Sequence, residues 1–128
     1  MNYLIPTMVF FGNYSHLGSE HSIKHADADN WTDLKKLVEK EYDIGAISNV
    51  YAYSHGGLTV STTPFSCHWD SGQLGFVLLT KEDIRKRYGI KRVTKKYQQL
   101  ALDAINYSVI ELDNEINYHE EEEEEYHE

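Results

Sequence analysis

Residues 50–80 read VYAYSHGGLTVSTTPFSCHWDSGQLGFVLLT, and this stretch decides the fold. Ala46–Ser54 (AISNVYAYS) alternates loosely between apolar and polar residues, as a half-buried strand does. HGG follows at 55–57, then LTVST at 58–62. Gly56 and Gly57 accept positive φ, so a tight hairpin is the natural connection. Residues 62–72 (TTPFSCHWDSG) carry no period. Pro64 restrains them and Gly72 closes them. Gln73–Leu79 (QLGFVLL) is apolar enough to be a central strand.

Upstream, Thr7–Phe11 (TMVFF) reads as a short buried strand between Pro6 and Gly12. GNYSHLGSEHSIKHADAD (12–29) is then a long polar connection. Loops beyond about 12–15 residues in a compact domain tend to be functional or mobile, so this one is a candidate wall for a site elsewhere. A helix follows, capped by Asp29 or Asn30. Trp31, Leu34, Leu37, Val38 and Tyr42 share one face, and the helix ends near Asp43. Downstream, Thr80 caps a helix running to Tyr88, which Gly89 terminates. A second start at Thr94 opens a stripe of Tyr97, Leu100, Ala101, Ala104, Ile105, Ser108, Leu112 and Ile116, ending near Asn117.

The order strand–helix–hairpin–strand–helix–helix predicts an α+β fold. It has a small antiparallel sheet of about four strands, with two to three helices packed on one face. Residues 1–117 form a single domain. Residues 118–128 form an acidic tail expected to be flexible, because like charges repel and little apolar surface is available to bury.

The net charge of −9 is unevenly placed, since YHEEEEEEYHE at 118–128 contributes −7 and the remaining residues only −2. Lys81–Lys96 carries eight basic residues against Glu82 and Asp83. The chain is a near-neutral body with a basic region and an acidic end. One cysteine, at 67, excludes an intramolecular disulfide and fits a reducing compartment. No apolar run approaches the roughly 18–20 residues that cross a bilayer, so no membrane partner is expected.

YSHGGLTVSTTPFSCHWDSGQLGFVLLTKEDIRKRYGIKRV (53–93) resembles a family of small proteins found in bacteriophages and other mobile elements. Its relatives share a Tyr-x-His-x-Gly-x-Thr turn, here Tyr53, His55, Gly57 and Thr59. They also share a Phe-Ser-Cys-x-Trp-Asp-Ser-Gly-Gln core, here Phe65–Gln73, and a Lys-Glu-x-Ile-Arg-x-x-Tyr-Gly run, here Lys81–Gly89. TMVFFGNYSHLGSE (7–20) is similar as well. His68 stands where the family carries proline, and Ser19 where it carries aspartate. The resemblance implies a phage origin and action in the host bacterial cytoplasm. It brings no activity with it.

Three chemistries can be weighed in these residues. His16, His21, His25, His55, Cys67, His68 and Asp70 are zinc-ligand types. Without Cys-x-x-Cys or HExxH spacing they read as polar loop histidines and a buried cysteine, so neither metal nor cofactor is expected. Cys67 with His55 and Asp70 supplies the residue types of a cysteine nucleophile. The plainer reading packs Cys67 and Trp69 inward while Asp70 caps a turn. Finally, Thr59, Ser61, Thr62, Thr63, Ser66, Asp70, Ser71 and Gln73 offer hydroxyls and amides beside Tyr51, Tyr53, Phe65 and Trp69, the composition of a small-molecule pocket. The expected binding residues are Tyr53, His55, Thr59, Ser61, Ser66, Cys67, Trp69, Asp70 and Ser71. Tyr14, His16 and Glu20 are expected at the mouth. For His55 to meet Asp70, the loop between them must fold back over the sheet.

These features favour a phage-encoded, non-enzymatic binding protein that counters a bacterial defence system. It would engage a defence protein in the manner of an anti-CRISPR inhibitor, with the acidic tail imitating nucleic-acid charge. The alternative is a sponge for, or hydrolase of, a nucleotide-like immune signal held by Tyr53–Gln73. Direct nucleic-acid binding is disfavoured, and a homo-oligomer is compatible with either reading.

Overall fold

A computed structural model describes residues 5–126 of the chain, with side chains through residue 118. Its strands are β1 (Thr7–Phe10), β2 (Ile44–Ser54), β3 (Leu58–Ser61) and β4 (Ser71–Thr80). Its α-helices are α1 (Trp31–Glu41), α2 (Lys81–Tyr88) and α3 (Lys95–Tyr126). Two short 3-10 segments, Gly12–Leu17 and His25–Asp27, punctuate the long connection after β1. The sheet runs β1-β4-β2-β3, antiparallel throughout. The α+β class and the central place of the QLGFVLL strand both stand.

The local signals act as their chemistry requires. Asn30 accepts the Asp33 N–H at 2.8 Å to open α1. Thr80 and Asp83 form a reciprocal capping box at the start of α2, satisfying two amides that the helix leaves open. Gly89 takes φ 65° and stops α2, a conformation costly for any residue with a Cβ. Burial and, secondarily, the Glu41 carboxylate raise the pKa of Tyr42, which closes α1.

Two helices, α2 and α3, share one face of the sheet, and α1 covers part of the other. Leu34 and Val38 of α1 pack with Val9, Phe11, Phe76 and Leu78. Ile84 of α2 and Ala101, Ile105 and Val109 of α3 pack with Phe10, Val50, Val77 and Leu79. Successive side chains of a strand point to opposite faces. The buried run Leu74–Leu79 therefore presents apolar groups to both sides, and both need a cover. The two faces are covered unequally. The core under α1 takes Ile44 and Ile47 from β2 and nothing from β3, so the β2–β3 half of that face has no helix over it.

On the other face, α3 also protects the sheet edge. The Val60 N–H, on the last strand, donates to Asp113 Oδ1 at 3.0 Å. The Thr62 hydroxyl donates to Asn106 Oδ1 at 2.6 Å. A free edge is a template for pairing with another chain, and here a side chain occupies part of it. α3 continues past the expected end near Asn117, through Tyr126. Glutamate is a good helix former, and extending an existing helix avoids the nucleation cost. Among the described residues, no helix is long and apolar enough to cross a membrane.

Candidate functional site on the open half of the sheet

The strand registers build the site. Tyr51 lies beside Ser61 on β3 and Gln73 on β4, and Tyr53 beside Thr59 and Ser71. Cross-strand partners share a face. Leu58, Val60, Val50, Ala52 and Leu74 point toward α3, so these two rows point away from it. Ser61–Tyr51–Gln73 and Thr59–Tyr53–Ser71 thus form two parallel polar-aromatic bands on the uncovered half. A register shift where Val50 gives way to Tyr51 keeps Leu74 in the core and Gln73 in the band. All six side chains are half-buried.

Walls rise at two ends of the bands. Phe65, from the loop after β3, lies 5.6 Å from the Tyr53 ring at 31°. At the other end Trp31 meets Phe76 edge-on at 5.9 Å. A concavity of about 290 Å³ opens there, lined by Trp31, Thr32, Lys35, Asn49, Gln73 and Phe76. Asn49 donates to the Tyr51 hydroxyl at 3.1 Å, joining this concavity to the first band. Lys35 is half-buried and contributes the only ammonium to the lining. Apolar walls, a few hydrogen-bonding groups and one cation suit a planar ligand that carries negative charge.

His55 and Asp70 do meet, Nδ1 to Oδ2 at 3.2 Å. The connection between β3 and β4 does cross β2, and Phe65 within it lies 5.6 Å from the Tyr53 ring on the open face. β4 pairs with β2 on the side away from β3, and Tyr53 opposite Ser71 leaves His55 and Asp70 just beyond the last rung. The Ser54 N–H donates to the Asp70 carbonyl at 2.8 Å, which carries the pairing one step further. The His55 ring lies 6.0 Å from Tyr53, so the pair stands at the rim of the bands, outside the concavity. Their side chains are 71% and 42% exposed. Asp70→Ala should accordingly cost less than about 1 kcal/mol, the range of an exposed pair. Urea denaturation checks this, and a variant that fails to fold would make Asp70 a structural turn residue.

Several expected site residues lie elsewhere. Trp69 is 95% exposed, so it neither packs inward nor walls a pocket: next to Asp70, beyond the last rung, it has no partner strand to lie on. Tyr14 packs against the α3-side core and reaches the Ser54 hydroxyl at 3.2 Å, which puts it behind the sheet. The rest of its loop is tied to β1, with the Ser19 N–H donating to the Met8 carbonyl at 2.8 Å. His16 and Glu20 are exposed there, at the opposite edge from β3. Ser66 is exposed and Cys67 half-buried, a free thiol. The Ser71 hydroxyl donates to the Cys67 carbonyl, closing the loop as a local turn. Among the described residues, no group of three or more His, Cys, Asp or Glu side chains could hold a metal ion.

Asn49, Trp31 and Lys35 were not foreseen. Trp31 and Lys35 are one helical turn apart at the start of α1, and that spacing was legible. Nothing in the sequence says that α1 crosses to the face where Asn49 points. No family model matches the chain, and no curated protein or solved structure is significantly similar to it.

Proposed function

We propose that the protein is a non-enzymatic binder that holds a nucleotide-like small molecule on the open half of the sheet. The observation that carries this is the alignment of two polar-aromatic bands with a concavity containing one lysine. A base stacks on the half-buried rings of Tyr51, Tyr53 or Trp31, a contact tolerant of base identity. Gln73, Asn49 and the Thr59 and Ser61 hydroxyls supply donors and acceptors for its edge and sugar. Lys35 supplies the charge that meets phosphate. Set beside the phage-family resemblance, this reads as sequestration of a nucleotide-type immune signal.

Two features favour holding over turnover. No histidine nitrogen hydrogen-bonds the Cys67 thiol among the described residues, and the His55–Asp70 pair sits at the rim. Incubation with a panel of cyclic and ADP-ribose-type nucleotides, heat release and chromatography tests the proposal. A nucleotide depleted from solution and recovered intact is expected. Conversion to a product would make the protein an enzyme, and no depletion would remove the small-molecule reading.

A second reading has an observation of its own. Trp69, exposed at a loop tip beside the His55–Asp70 pair, has the chemistry of an interface anchor and fits engagement of a defence protein. The charge-mimicry version of that reading falls on the side chains of residues 119–128, which lie outside the described residues.

A further inference from the structure

Seven of the chain's twelve lysines and arginines fall between Arg85 and Lys96, and residues 84–102 contain no aspartate or glutamate. The sequence alone disfavours nucleic-acid binding, because a basic helix face is ordinarily just solvated. The fold does more than present one face. The basic residues occupy the last turn of α2, the connection after Gly89 and the first turn of α3, and these three meet at one corner. Tyr88 and Tyr97 close it, their rings 5.5 Å apart. Ile90 and Val93, from the connection, pack on the core beneath.

With the apolar side chains of this corner turned inward, its charges face outward. Arg85, Lys91, Arg92, Lys95 and Lys96 are exposed and have no ion-pair partner among the described residues. Lys36, Lys81 and Lys86, by contrast, each reach a carboxylate. The Gln98 N–H bonds back to the Thr94 carbonyl at 2.9 Å, which opens the first turn of α3, so the positive end of its dipole lies among these cations. Five unpaired cations held at one corner repel one another. An anion with several charges in a row removes that repulsion.

We infer that this corner binds the phosphodiester backbone of nucleic acid, without regard to base sequence. Charge complementarity selects the occupant, since regularly spaced phosphates each meet a cation and release a condensed counterion. An anionic membrane fits less well, because helices that lie in a bilayer surface carry exposed apolar residues beside their cations. Among the described residues, no exposed large apolar side chain lies between Arg85 and Gln99, and the nearest in sequence, Leu100, lies past it. The corner belongs to the α2–α3 side of the sheet, away from the bands, so this inference is independent of a nucleotide held there.

Fluorescence anisotropy of a dye-labelled DNA duplex titrated with the full chain, at several salt concentrations, tests it. Binding at low salt is expected, with log affinity falling linearly against log salt by about 0.9 per phosphate contact. Lys91→Gln with Arg92→Gln, and separately Lys95→Gln with Lys96→Gln, should each flatten that slope by about 2. The circular-dichroism spectrum should not change, since all four side chains are exposed. Lys36→Gln with Lys40→Gln, on α1, removes the same charge elsewhere and should alter the slope hardly at all. No binding at low salt overturns the inference, and so does a slope that the α1 pair flattens as much as the corner pairs do. Retention on phosphatidylglycerol vesicles without binding to the duplex would make the corner a membrane contact and overturn it as well.

Discussion

Gly75→Ala should destabilise the protein by about 3 kcal/mol or more, a large share of the roughly 5–15 kcal/mol that holds a domain of this kind together. A Cβ at position 75 would lie 2.1 Å from the Val9 carbonyl oxygen and 2.9 Å from the Phe10 Cα. Both are backbone atoms of β1, so no flexible side chain can swing aside. Relief requires β1 to move off β4, and β1 supplies Val9 and Phe10, both fully buried and on opposite faces. Each is worth about 1.5–3 kcal/mol of burial, so displacing the strand opens both cores at once. Gly72→Ala is the control, because a Cβ there has nothing within 4 Å. Urea denaturation should shift markedly to lower midpoint for Gly75→Ala and hardly at all for Gly72→Ala. Equal midpoints would mean that β1 and β4 do not approach as closely as described.

The second large effect concerns binding. Tyr53→Ala should weaken a retained nucleotide by about tenfold to a hundredfold, the range for one lost base–aromatic stack of about 1–3 kcal/mol. Tyr53 sits between Phe65 and His55, at 5.6 and 6.0 Å, so its truncation removes the middle of an aromatic row. Its ring is only half-buried, and the fold should survive. Lys35→Gln adds a chemical distinction: affinity for phosphate-bearing ligands should fall, with little change for the corresponding nucleoside. Trp69→Ala should leave both unchanged, because Trp69 stands outside the bands. Calorimetric titration of the four proteins measures all of this. A Tyr53→Ala protein that binds as well as the parent removes the bands from the site. Loss of binding only in Trp69→Ala would move the site to the loop tip.

The local elements were legible because their signals are short-range. The Asn30 and Thr80 caps, the Gly89 stop and the Ile105-centred stripe act within a turn or two of the chain, where sequence spacing and spatial neighbourhood coincide. The same holds for the hairpin at HGG, where the His55 N–H donates to the Gly57 carbonyl at 3.0 Å. The residues of the bands were legible as types too, since Tyr53, Thr59, Ser61, Ser71 and Gln73 alternate with core residues along their strands. Trp69 misled because an aromatic residue in an irregular loop carries no period to show which way it points.

From the sequence alone come the element order, the antiparallel α+β class, the central place of QLGFVLL, the polar-aromatic makeup of residues 51–73, and a basic region followed by an acidic end of the chain. The tertiary structure decided which strand β4 joins, and therefore why His55 meets Asp70. It also decided that α1 crosses to the face away from α2 and α3, and that it stops short of β3 and of the Tyr51–Ser54 end of β2. The reason is physical. A central strand that is apolar on both sides needs cover on both, but its sequence does not say which helix goes where. That choice depends on contacts between residues far apart in the chain, such as Phe76 with Trp31 and Val60 with Asp113. An open half of the sheet is what remains once those contacts are made.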